Sequence, residues 1–187
     1  FCPEPRRLLM IGLGGGSLVK FCNRHLPSTH VTVVEIDANV IALRAHFQIP
    51  PDGADLRVIH GDGARYVADL SNSAEFPDVL LVDAYDRDGI SRSIAEPEFI
   101  EHSRRILGDD GVFVMNLAAH ESDSTLHVER IRKVFGDPVI PVTVGWGGNM
   151  VVFAGPALRD RRRLEAAPAN ARRVERTLDL DFRILPG

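Results

Sequence analysis

The chain has 187 residues, 44% of them hydrophobic, a formal net charge of −4 and a pI near 6.0. That length buries one sizeable core and leaves little room for a second full domain, and the net negative charge disfavours a phosphate-backbone partner, so nucleic acid is not an expected ligand. No run reaches the eighteen apolar residues of a membrane span, Cys2 and Cys22 form neither a C-x-x-C pair nor a disulfide framework, and His60, His102, His120 and His127 lack ligand spacing; no membrane, no metal and a cytoplasmic location are the expectations.

The first element is an apolar strand at 7–12, Leu8-Leu9-Met10-Ile11, which runs straight into Gly12-Leu13-Gly14-Gly15-Gly16. A dinucleotide fingerprint would need glycine at 12, 14 and 17, and position 17 is Ser. The spacing that stands, Gly12-x-Gly14-x-Gly16, resembles motif I of the class I adenosylmethionine-dependent transferases. Leu18, Phe21, Cys22 and Leu26 follow at helical spacing. A second strand at 31–36 closes on Glu35-Ile36-Asp37, where an acid at the strand tip can accept both hydroxyls of a ribose. Asp37 suits the N-cap of the next helical period, Val40, Ile41, Leu43 and Phe47.

A third strand at 56–60 leads into His60-Gly61-Asp62-Gly63, and a fourth at 78–83 ends on Asp83, with Asp86 three residues later. N-capping alone accounts for Asp37 and Asp62. It accounts less well for acids that end the run Val79-Leu80-Leu81-Val82. The segment from Asp86 to Glu98 reads as a gate or as a plain connection, and Tyr85 and Trp146 read as mouth residues or core plugs. Phe99, Ile100 and Ile106 predict a helix stopped near Gly108; then come a strand at 111–117, a helix capped by Ser122 and carrying Leu126, Ile131, Val134 and Phe135, and strands at 139–144 and 150–154. Gly145-Trp146-Gly147-Gly148-Asn149 is too short for a crossover helix, so those two strands predict an antiparallel hairpin. Arg159, Arg161, Arg162, Arg163, Arg172, Arg173 and Arg176 are interrupted by acids at 160, 165 and 175, which favours a solvated helical tail over a basic docking helix.

Strands alternating with helices predict an α/β fold with a doubly wound, mostly parallel sheet, seven strands ending in an antiparallel hairpin. Such a sheet resembles that of the class I methyltransferases. The expected organisation is a single domain over 1–187, with a core at 6–155 and a helical tail at 157–187.

Gly-Leu-Gly-Gly-Gly-Ser-Leu, Val-Val-Glu-Ile-Asp, Gly-Asp-Gly and Asp-Ala-Tyr-Asp, taken together, resemble the spermidine synthases and their relatives over roughly residues 6–155. The resemblance implies a cofactor site of Gly12, Gly14, Gly15, Gly16, Glu35, Asp62 and Gly63, binding S-adenosylmethionine or its decarboxylated form. By the same resemblance Glu35 holds the ribose, Asp62 the adenine amino group, Asp83 receives the proton of an attacking amine, and Asp86 binds the cationic acceptor. The implied partners are a nucleoside and an amine-bearing acceptor, in polyamine biosynthesis or methylation; monomer and homodimer stay open.

The chain departs from that family at three points. Spermidine synthases carry Asp where Gly15 stands, against the amino group of the decarboxylated donor. An Asp would repel the carboxylate of ordinary adenosylmethionine by about 4 kcal/mol for charges about 4 Å apart at an effective dielectric of about 20, roughly a thousandfold in binding. Arg87 replaces the proline of the family's Asp-x-x-Asp-Pro, and the family's N-terminal β-domain is expected to be absent. The glycine loop also resembles a spermidine-synthase-like methyltransferase domain. Methyl transfer to an amine is therefore the expected activity, with aminopropyl transfer to a diamine and a non-catalytic nucleoside-binding module as the alternatives.

Overall fold

The computed structural model of the protein describes residues 1–71, 76–86, 89–118, 124–144 and 148–178, with the backbone alone for Asp86. Arg87, His120, the Ser122 cap, Trp146 and the tail beyond Leu178 lie outside the described residues. Apolar runs rich in Val, Ile and Leu form β1 (Arg7–Ile11), β2 (His30–Glu35), β3 (Leu56–His60), β4 (Val79–Val82) and β7 (Val112–Ala118). These five pair in parallel, and β8 (Ile140–Val144) and β9 (Asn149–Ala154) complete the sheet as the antiparallel hairpin. The strand order is β3-β2-β1-β4-β7-β9-β8, so the seven-stranded, doubly wound α/β sheet is present as expected.

Alternation along each strand sorts the core onto two faces. Leu8 and Met10 meet Val19 and Cys22 of α1 (Ser17–His25), while Leu9 and Ile11 meet Val67 of α3 (Gly63–Leu70), Phe99 of α5 (Pro97–Ile106) and Ile131 of α6 (Ser124–Phe135). Burial on both faces explains why the strands read as unbroken apolar runs. Asp78 ties the far end, its Oδ2 accepting the backbone N–H groups of Arg6 and Arg7 at 2.6 and 2.9 Å.

Several elements differ from the sequence reading. Helix α3 fills the gap between β3 and β4, capped by Asp62, whose Oδ1 accepts from the backbone of Ala64 and Arg65. The second helical period shrinks to α2 (Ala38–Ala42), capped by Asp37 as expected, with turns from Leu43 to Gln48. Helix α5 ends at Ile106, close to Gly108 as expected, with the buried Leu107 extended as its C-cap and Gly108 opening a turn to Gly111. The connection after β4 contains a small antiparallel pair, β5 (Tyr85–Asp86) with β6 (Gly89–Ile90), followed by α4 (Arg92–Ala95). A 3-10 turn, Pro156–Arg159, buries Leu158 before α7 (Arg161–Leu178). No residue of α7 is fully buried; Arg161 pairs with Glu165 within the helix, while Arg163 reaches Asp110 beside the start of β7 at 2.9 Å and Leu164 packs against the core, so the first turn of α7 is docked on the sheet and the rest is solvated. Among the described residues no helix is long and apolar enough to cross a membrane.

Candidate active site

The strand order reverses between β1 and β4, and open α/β sheets bind ligands in the crevice beyond the carboxyl ends of the strands at that point. Register puts Ile11 level with Val34 on one side and Val82 on the other, so the segments leaving β1, β2 and β4 emerge together. Glu35 is level with His60, which brings the β3 exit into the same row. Along this edge lie Asp62, Glu35, the glycine loop and Asp83, in that order.

The glycines have unequal duties. A Cβ on Gly12, whose φ is +100°, would stand 2.1 Å from the carbonyl oxygen of Asp83, so this glycine exists for the close approach of β4. A Cβ on Gly16 would meet Ile49 at 2.3 Å, and one on Gly63 would meet Ile11 at 2.2 Å. Gly14 and Gly15, by contrast, have open space where a side chain would go. Helix α1 begins directly after them with no side-chain cap and no acid in its first turn. Its first backbone N–H groups lack helical acceptors and favour an anion.

Glu35 is 8% exposed, and both its oxygens accept backbone N–H groups: Oε2 from Leu13 at 2.7 Å and Oε1 from Asp37 at 2.9 Å. The carboxylate thus fastens the glycine loop to the tip of β2, a task that the sequence pattern does not reveal. Asp62 spends Oδ1 on capping α3, at 2.8 and 3.1 Å. Asp83 is exposed at the tip of β4, its N–H held by Ile11 O at 2.9 Å and its Oδ1 accepting from Asn116 Nδ2 at 2.8 Å. The Tyr85 hydroxyl donates to the backbone oxygen of Asn116 at 3.0 Å, which holds this partly exposed aromatic residue beside Asp83 and out of the core. Asp86 is in β5, two residues beyond Ala84 of the same rim.

Two residues of this edge escape sequence reasoning. Ile36 stands between two acids yet is 58% exposed, an apolar surface beside Glu35, and His60 contacts its carbonyl oxygen at 3.1 Å. Its signal is an apolar residue just past the end of a strand. Asn116 is the single polar residue of β7, which is signal enough for a polar partner but does not say which. His102 pairs with Ser71 and His127 is buried in α6, away from the edge. Two surface hollows, one near Asn23 and Asp55 and one near Arg7, His30 and Tyr66, lie at the opposite, amino end of the sheet and gather none of these acids. Among the described residues no group of three or more His, Cys, Asp or Glu is placed to hold a metal ion.

The pattern of the spermine/spermidine synthase domain matches residues 1–142. The polyamine aminopropyltransferase of Neisseria meningitidis is 31% identical over 185 residues, covering 98% of this chain and 69% of the relative. The human eEF1A lysine and N-terminal methyltransferase is 32% identical over 126 residues, 63% of this chain and 18% of that protein. Human methyltransferase-like protein 13, solved in complex with SAH, superposes with a TM-score of 0.82 at 26% identity, covering 97% of this chain and 87% of that one.

Proposed function

The chain belongs to the spermine/spermidine synthase family, and from that premise we propose that it transfers the methyl group of S-adenosylmethionine to an amine-bearing acceptor. The observation that carries this reading is Gly15. It has no side chain, open space around the missing Cβ, and the uncapped start of α1 next to it. A donor that keeps its carboxylate meets backbone N–H groups there, with no acid to repel it.

In this assignment the nucleoside lies along the carboxyl edge. Asp62 takes the adenine amino group with the oxygen that capping leaves over, Ile36 lends an apolar face, and Glu35 receives the ribose hydroxyls on lone pairs not used by Leu13 and Asp37. Three strand spacings separate Asp62 from Asp83, about 14 Å, room for an extended nucleoside. Gly14 and Gly15 border the donor's tail. An acceptor amine, with a pKa of about 10.4 by the lysine model, arrives as ammonium. Asp86 and Asp83 attract it, and Asp83 removes a proton so that the nitrogen lone pair is free to attack. The C–N bond forms as the C–S bond breaks in line with it, and the sulfur leaves as a neutral thioether.

A second reading is aminopropyl transfer from decarboxylated adenosylmethionine to a diamine, favoured by the match to the Neisseria aminopropyltransferase over nearly the whole chain. Calorimetry with both donors and with methylthioadenosine separates the readings. Methyl transfer predicts tighter binding of adenosylmethionine than of its decarboxylated form, and Gly15→Asp reversing that order. Preference of the unaltered protein for the decarboxylated donor overturns the methyl-transfer reading, and no binding of any of the three by the folded protein overturns both.

A further inference from the structure

We propose that Asn116 is a positioning residue for Asp83, holding its carboxylate at the angle from which it takes a proton; this rests on Asp83 being the base of the proposed reaction. Val82 of β4 pairs with Met115 of β7, so Asp83 and Asn116 each stand one residue beyond that rung, on neighbouring strands. The Asn116 side chain reaches across the gap, and Nδ2 donates to Asp83 Oδ1 at 2.8 Å. This contact fixes which way the amide faces, since its oxygen set against a carboxylate would repel it.

The other end of the amide shows what this orientation costs. Asn116 Oδ1 is buried and has no hydrogen-bond partner among the described residues. A buried acceptor without a donor destabilises the fold, and an apolar side chain of similar volume would relieve it. Asn116 is thus unfavourable for the core on one side and grips a carboxylate of the edge on the other, an arrangement that serves the site. Its main chain is braced as well, by the Tyr85 hydroxyl on its carbonyl at 3.0 Å. With the Asp83 N–H held by Ile11 O and Oδ1 held by Asn116, the plane of the carboxylate is set before any substrate arrives. A pre-set carboxylate spares the reaction the reorganisation that a freely rotating one requires.

The test uses the full chain with adenosylmethionine as donor and, as acceptor probe, a short lysine-containing peptide with a free amino terminus. Asn116→Leu is expected to melt at the same temperature or higher and to bind adenosylmethionine within about twofold of the unaltered protein, while kcat falls about tenfold to hundredfold with a smaller change in KM. Asn116→Gln, which keeps a donor, is expected to recover part of kcat. In nitrogen-edited NMR the side-chain amide pair that vanishes in Asn116→Leu is expected to move in Asp83→Asn. A leucine variant that keeps kcat within about twofold, or melting temperatures that fall in step with kcat in both variants, overturns the positioning role. Absence of methyl transfer by the unaltered protein overturns the proposed reaction instead; the amide pair then decides the Asn116–Asp83 contact alone, an unmoved pair overturning it and a shifted pair upholding it.

Discussion

Single atoms set the behaviour of the glycine loop. Gly12→Ala places a methyl group on the Asp83 carbonyl at a φ of +100°, and we expect a loss of about 3 kcal/mol or more, read as a fall in melting temperature. Gly15→Asp meets no atom and no positive φ, so its melting temperature should change little although its donor preference reverses. Equal destabilisation by the two would show that both positions are structural. Glu35→Ala should remove nucleoside binding and also cost about 1.5–3 kcal/mol, because the carboxylate anchors the N–H groups of Leu13 and Asp37. A variant that loses binding at unchanged stability would reduce Glu35 to a ligand contact. The loop and its acids were legible in the sequence because their spacing is local. Which glycines face open space and which abuts β4 was not, since Asp83 lies seventy-one positions from Gly12, and Asn116, as the lone polar residue of β7, signals a partner without naming it.

At the level of elements, the seven strands of the main sheet were legible to within a residue or two, the short β5–β6 pair was not, and the helices were less so. Eight residues with only Tyr66, Val67 and Leu70 as apolar markers gave α3 too little periodicity to read, although its cap, Asp62, was in view. Helix α2 borrowed Leu43 and Phe47 in the sequence reading; both are exposed and belong to the turns after it. Helix α1 forms where its spacing predicts, with Leu18 exposed and Leu26 just past its end, and its inward face has a consequence for pH. Burial pushes the Cys22 thiol up from 9.0 to about 11. The folded state therefore holds this proton more tightly than the unfolded state does, so stability is unaffected below pH 9 and declines as pH rises from about 9 towards 11. Thiol-directed reagents at pH 8 should leave Cys22 unmodified in the native protein and label it after unfolding, as peptide mass mapping would report. Rapid native labelling would mean that α1 opens readily from the sheet.

For the whole molecule, the alternation of strands and helices announced the architecture, while the strand order and the switch point at β1 and β4 came only with the structure. The arginines of α7 belong to this scale. The Arg161–Glu165 pair is exposed, the Arg161 side chain 90% accessible, so Arg161→Gln with Arg172→Gln should shift stability by less than about 0.5 kcal/mol and leave donor binding unchanged. A marked loss of donor binding would instead tie the tail to the site.

The carbonyl of Asp83 fills the space that a side chain at Gly12 would take, while the carboxylate of the same residue belongs to the acceptor end of the proposed site. In the proposed assignment one residue thus borders the donor's end with its main chain and the acceptor's end with its carboxylate. In that assignment the spacing of the two ends is set by the main chain of Gly12 and Asp83, while the rim after Ala84 carries Tyr85, whose hydroxyl reaches back to the Asn116 carbonyl. A change of acceptor made in that rim would therefore have to keep Tyr85 for the Asn116 main chain to stay braced.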